Sequence, residues 1–174
     1  MEKETLFILA LCAFLCVASF WDLKFHRIPN SHCAAIGIFG VCGAFLLGGV
    51  GGVLHYLICG SLVMLAFYPL FRIGTIGGGD VKLYGVCSGF FPRDKILLFL
   101  FFSLLVAAIF GIVRFVRKGD AKERFAYLIS YVKEVLDSGE WKIYWKDVGE
   151  KKNAGICLAG PILISVLLYA GGYY

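Results

Sequence analysis

Proline and charge are both scarce in this chain: there are 4 prolines in 174 residues, and 17% charged side chains stand against 60% hydrophobic ones. A soluble domain of this size would carry far more apolar surface than it could bury, so an integral membrane protein is the expectation. Histidine is rarer still, at 3 residues, and no CxxC pair occurs, which removes the ligand spacing of a zinc site. The 7 cysteines, Cys12, Cys16, Cys33, Cys42, Cys59, Cys87 and Cys157, all fall in or at the edge of apolar runs. They read as small buried hydrophobes, not as a disulfide framework. Glycine, with 22 residues, and aromatics, at 16%, are plentiful, which argues against disorder and fits closely packed membrane helices. The net charge of +5 does not mark a nucleic-acid binder, because most basic residues occupy a few short segments between apolar runs.

A bilayer core about 30 Å thick needs about 20 helical residues at 1.5 Å each. Five apolar runs approach that length: 5–21, 33–50, 53–71, 96–116 and 154–173, the second and third divided only by Gly51-Gly52. A sixth, 74–91, is apolar except for Asp80 and Lys82 and is bounded by Pro92-Arg93-Asp94-Lys95, so it reads as a short or broken span. The first run is not a secretion signal, since Glu2-Lys3-Glu4 is net acidic and Phe20-Trp21-Asp22 is a poor cleavage site. The expected fold is therefore an all-α integral membrane protein with six transmembrane helices, forming a single domain over residues 1–174.

Cytoplasmic loops hold the excess of Lys and Arg. With the N-terminus outside, 14 of the 17 basic residues fall on inner segments, leaving Lys3, Arg93 and Lys95 outside. Both termini are then external to the cytoplasmic membrane. The longest inner segment, 117–153, carries Phe125, Leu128, Ile129, Val132, Val135 and Leu136 at helical spacing, with Asp120 and Glu123 resembling a capping box and Gly139 a stop. It reads as a cytoplasmic amphipathic helix between the fifth and sixth spans, followed by the interfacial cluster Trp141, Tyr144 and Trp145. A membrane-hugging connector and a substrate-guiding surface are both open to it.

Two carboxylates stand out by position. Asp22 lies at the inner end of the first span, in Trp21-Asp22-Leu23-Lys24, and Asp80 lies at the inner side of the fourth, in Gly77-Gly78-Gly79-Asp80-Val81-Lys82. From Asp80 to Pro92 is 12 residues, roughly 18 Å of helix, which puts Asp80 about 12 Å below the inner surface if Pro92 marks the outer one. An ionisable group at that depth requires a solvated cavity and is a functional candidate. Gly77, Gly78 and Gly79 allow positive φ and close approach of another chain, and irregular backbone at membrane depth is tolerated only beside a protein-lined or wet site. No Gly-Lys-Ser/Thr follows them and no strand precedes them, which argues against a phosphate-binding loop. Two aspartates in one site share a proton at neutral pH, one serving as base and the other as acid, which is what water-mediated peptide hydrolysis needs. The dipole of a helix opening at Asp80 singles it out as the ionised partner.

Asp22-Leu23-Lys24, then Ile28-Pro29-Asn30, then Gly77-x-Gly79-Asp80-x-Lys82 resemble the two signature regions of the type IV prepilin peptidase family, which includes the archaeal preflagellin peptidases. The similarity extends to the order of the aspartates and to a late apolar helix with Gly160-Pro161. It implies an intramembrane aspartic endopeptidase in which Asp22 and Asp80 match the catalytic positions, no cofactor or metal is required, and the partner is a pilin-like or flagellin-like precursor bearing a short basic leader. The larger members of that family also carry two CxxC pairs and methylate the new N-terminus; with no CxxC, this chain is expected to be a minimal peptidase. Presenilin-like proteases share Gly-x-Gly-Asp but use a Tyr-Asp partner, where this chain has Trp21-Asp22.

Lys24 and Lys82 are candidate supports for the carboxylates, and equally candidate anchors at the inner boundary, since i and i+2 do not share a helix face. Pro29 and Asn30 are expected to shape the turn into the second span. His26 and His55 have no metal-forming partners and read as structural. Two further functional classes remain open: a small ion-coupled transporter subunit with buried carboxylates, which glycine-broken helices also suit, and a non-catalytic assembly scaffold.

Overall fold

The computed structural model describes residues 2–118, 130 and 157–174, and among these the regular structure is entirely helical. The helices are α1 (Glu2–Phe25), α2 (Asn30–Ile73), α3 (Gly78–Ser88), α4 (Arg93–Lys118) and α5 (Ala159–Ala170). Three stretches, Thr5–Phe25, Asn30–Ile73 and Arg93–Val113, are long and apolar enough to cross a membrane. The expected amphipathic helix over 117–153 lies almost wholly outside the described residues.

α2 holds 44 residues, which as a straight rod would be about 66 Å long, twice the apolar thickness of a bilayer. It is not straight. Gly49 has φ 57° and ψ −145°, a conformation essentially confined to glycine, and there the chain turns back on itself. The fold-back is visible in the contacts: a methyl added at Gly40 would strike the Tyr56 ring, and one at Gly52 would strike the Ala44 carbonyl. The expected separation into two apolar runs is thus found, but the break lies at Gly49 and not at Gly51-Gly52. Gly48, Gly49 and Gly51 all face open space, so composition alone does not single out the one that reverses; Gly52 serves the close approach of the two limbs.

The expected spans 74–91 and 154–173 appear as short helices. α3 has 11 residues and α5 has 12, about 17 and 18 Å, each well below a full crossing. α3 is the centre of the bundle, with Leu83, Tyr84, Cys87 and Ser88 fully buried. It packs on both limbs of α2: Gly37 lies against Val86, and Gly60 against the carbonyl of Gly85. Such close backbone approach is how helices associate where lipid supplies no hydrophobic drive between them. Stacked pairs Phe67–Tyr84 (4.8 Å) and Phe91–Phe99 (4.5 Å) lock α3 and the turn after it to α2 and α4. Each such pair contributes about 0.5–1.5 kcal/mol beyond its burial.

α5 lies between α1 and α4, with Ser165 donating to the Phe99 carbonyl at 2.9 Å. The outer surface is strongly apolar, with Leu6, Leu46, Leu97 and Phe101 among many exposed large side chains, as a lipid-facing belt requires. Cys16 and Cys42 belong to this exposed surface, so only Cys12, Cys33, Cys59 and Cys87 fit the expectation of buried thiols. The start of α5, the last turn of α1 and the start of α3 meet at one end of the bundle, where Asp22 and Asp80 are found.

Candidate active site

The approach to Asp80 begins where α2 ends. Gly74 adopts φ 82°, its N–H donates to the Phe71 carbonyl, and the Thr75 N–H donates to the Leu70 carbonyl, which is a Schellman termination. The chain then runs extended through Gly77 (φ −72°, ψ 147°), the N-cap of α3, whose carbonyl accepts the first helical bond from the Val81 N–H at 3.2 Å. Asp80 stands three residues into the helix, and its carboxylate accepts the Gly77 N–H. This is the return half of a capping box, placing the acidic group at the positive end of its own helix.

The three glycines meet one half of the sequence expectation, close approach of other parts of the chain, and not the other. None of Gly77, Gly78 and Gly79 has positive φ; that conformation falls on Gly74, just after Arg72-Ile73 at the end of α2. What the triplet supplies is room. A methyl at Gly77 would sit 2.8 Å from Asp80 Oδ2, one at Gly78 3.1 Å from the Phe71 ring, and one at Gly79 3.4 Å from Ile28 Cβ.

Asp22 is reached from the other side. It lies in the last turn of α1, 6% exposed, and its Oδ2 accepts the Ala159 N–H at 3.3 Å, with the Leu158 N–H as a second donor. These are the first backbone groups of α5, so Asp22 fills the N-terminal end of a helix that has no side-chain cap of its own. Asp22 is also close enough to Asp80 for its charge to act there. Both carboxylates thus rest on helix N-termini, and the dipole argument that singled out Asp80 no longer separates the two.

The loop after α1 ties these parts together. His26, with φ 50°, ends α1 and donates its N–H to the Asp22 carbonyl at 2.9 Å. Pro29 caps α2 in extended conformation, its carbonyl accepting the His32 N–H, and Asn30 opens the helix. Lys82 Nζ donates to Asn30 Oδ1 at 2.9 Å, joining the first turn of α2 to α3. Lys24 goes elsewhere: it is exposed and lies over the Phe20 and Phe25 rings at 5.8 and 5.3 Å. The structure thus brings together Asp22, Pro29, Asn30, the glycines, Asp80 and Lys82, and leaves Lys24 at the rim.

Sequence reasoning missed the contribution of α5. The signal was Gly160-Pro161: proline is tolerated in the first turn of a helix and not in its interior, so it marks a helix start close by, where N–H groups lack intrahelical partners. It also missed Cys157, half-buried, whose Sγ lies 3.4 Å from His26 Nδ1 and 3.5 Å from the Asp22 carbonyl oxygen. Among the described residues no three His, Cys, Asp or Glu side chains gather as a metal site would require.

Residues 9–112 match the type IV leader peptidase family, a stretch that includes both carboxylates and the loop between α1 and α2. No curated protein and no solved structure matches the chain.

Proposed function

Since this chain belongs to the type IV leader peptidase family, we propose that it is an aspartic endopeptidase of the cytoplasmic membrane, with Asp22 and Asp80 as its acid–base pair. Its substrates are pilin-like or flagellin-like precursors, whose short basic leader it removes at the cytoplasmic face. The observation that carries this reading is that two carboxyl groups from separate helices are held within electrostatic reach of each other at one end of the bundle, each by backbone N–H groups.

In this reading the pair shares a proton, so one carboxyl accepts from water while the other donates. The base draws a proton from water as its oxygen attacks the scissile carbonyl, and the acid hydrogen-bonds the carbonyl oxygen as charge develops on it. Collapse of the tetrahedral intermediate returns a proton to the leaving amine. No organic cofactor enters this sequence. Gly77, Gly78 and Gly79 let the Asp80 carboxylate, the Phe71 ring and Ile28 close in around the start of α3, which fixes the carboxylate in place.

Counting α1, the two limbs of α2, α3, α4 and α5 gives the six membrane elements of the proposed topology, with both termini outside and the site inward. The substrate's apolar helix stays in lipid while its leader reaches the pair from the cytoplasm. Purified protein reconstituted with a precursor of basic leader, small residue and apolar helix tests the proposal by gel shift. Asp22→Asn and Asp80→Asn are each expected to abolish the shift while inserting and melting as the unsubstituted protein does. Cleavage retained by both variants would remove the assignment.

A further inference from the structure

The face that α1 turns to the bundle is formed by Ile8, Leu11, Cys12, Leu15, Ala18, Ser19 and Asp22, all buried. Its spacing follows the helix period, so Ser19 stands one turn deeper than Asp22 on the same face, with about 5–6 Å between their Cβ atoms. Ser19 is 9% exposed, and its Oγ is a buried side-chain oxygen with no hydrogen-bond partner among the described residues. That is unusual for a helix buried among apolar neighbours, where a serine normally returns its proton to the carbonyl four residues back. A buried hydroxyl left without a partner is costly, and each such group in a native fold requires a reason.

We propose that Ser19 is a positioning residue for the acid–base pair, its hydroxyl holding a water molecule against the Asp22 carboxylate. The separation of the two side chains suits a bridge of one water, with two bonds of about 2.8 Å in series. Asp22 has acceptor capacity to spare: a carboxylate offers about four lone-pair sites, and the Leu158 and Ala159 N–H groups occupy two. The water so held lies on the buried face of α1 that carries both Ser19 and Asp22, one turn below the carboxylate. The proposal rests on the peptidase reading, adding to it the side from which water is delivered.

Ser19→Ala, in the full-length reconstituted protein, removes the hydroxyl with little change of volume. The expected result is a fall in kcat of about tenfold with KM unchanged, a displaced limb in the pH–rate profile, and a melting temperature equal to or above the unsubstituted value. Unchanged kcat and pH profile would overturn the proposal and leave the hydroxyl a plain packing defect, as would a loss of rate with an unmoved profile. An inactive unsubstituted protein would remove the peptidase reading and the Ser19 proposal with it. An active one with an indifferent Ser19→Ala removes the Ser19 proposal alone.

Discussion

Gly77→Ala separates the chemistry of the site from the stability of the fold. Gly77 has φ −72° and ψ 147°, an ordinary extended conformation that alanine adopts without strain. The added methyl would lie 2.8 Å from Asp80 Oδ2, whereas an unstrained contact begins near 3.4 Å, so the carboxylate must retreat by 0.6 Å (3.4 − 2.8) or turn about its own bonds. The clash is with the far end of a side chain, which yields cheaply. Alanine is a poorer N-cap than glycine, at a cost of up to about 1 kcal/mol, and the loss is offset by the roughly 0.4–1 kcal/mol gained from a stiffer unfolded chain. The melting temperature should therefore move by no more than a few degrees.

The rate should not be spared. Catalytic groups must be held within about 0.5 Å of productive geometry, and a misplacement of about 1 Å costs on the order of a hundredfold. A displacement of 0.6 Å at Asp80 is expected to lower kcat by about 10–100-fold in the precursor gel-shift assay. Gly37→Ala is the control: its methyl, in the interior of α2, would meet Val86 of α3 at an ordinary 3.6 Å, so the rate should hold and stability should rise by about 0.5–1 kcal/mol. Unimpaired cleavage by a folded Gly77→Ala protein would refute the claim that this glycine exists to make room for the Asp80 carboxylate.

Lys24→Ala should leave the cleavage rate within about twofold, because its observed partners are the Phe20 and Phe25 rings; only about 0.5–1 kcal/mol of exposed cation–π attraction is at stake in thermal unfolding. For Lys82 and Asn30, whose side chains meet at 2.9 Å in an exposed setting, a double-mutant cycle with alanine at each position should return a coupling of about 0.5–1 kcal/mol. Strictly additive losses would mean that the bond contributes nothing to holding the first turn of α2 on α3.

The long apolar runs made α1, α2 and α4 legible, because a stretch of some twenty apolar residues has few other uses. The turn inside α2 was legible as a need but not as a place: four glycines lie between residues 48 and 52, and only the backbone torsions assign the reversal to Gly49. Within 74–91 a short or broken span was expected and α3 is one; apolar residues continue past its end through Phe90-Phe91, where burial and not helix demands them. In the site, Asp22 and Asp80 were readable since each lies in a local pattern whose chemistry is carried by adjacent residues. Their supports were less so. The glycine triplet invited a positive-φ reading, when the local requirement was space for a carboxylate. The donors that hold Asp22 come from residues 158 and 159, far along the chain and from the backbone, which no side-chain pattern announces.

That division of labour decides which substitutions can test the chemistry. Asparagine keeps a carbonyl oxygen at each position, so the Gly77 N–H keeps its acceptor in Asp80→Asn, and the Leu158 and Ala159 N–H groups keep theirs in Asp22→Asn. What asparagine cannot do is share a proton across the pair. Alanine removes both functions: at position 80 it deletes a cap at a cost of about 0.5–2 kcal/mol, and at position 22 it strands two N–H groups beside α5 at about 1–3 kcal/mol each. Thermal melts should accordingly rank Asp22→Ala well below Asp80→Ala, with both asparagine variants near the unsubstituted protein and all four inactive. If Asp22→Ala melted no lower than Asp22→Asn, the α5 N-terminus would not depend on Asp22, and the anchoring of this carboxylate would need another explanation.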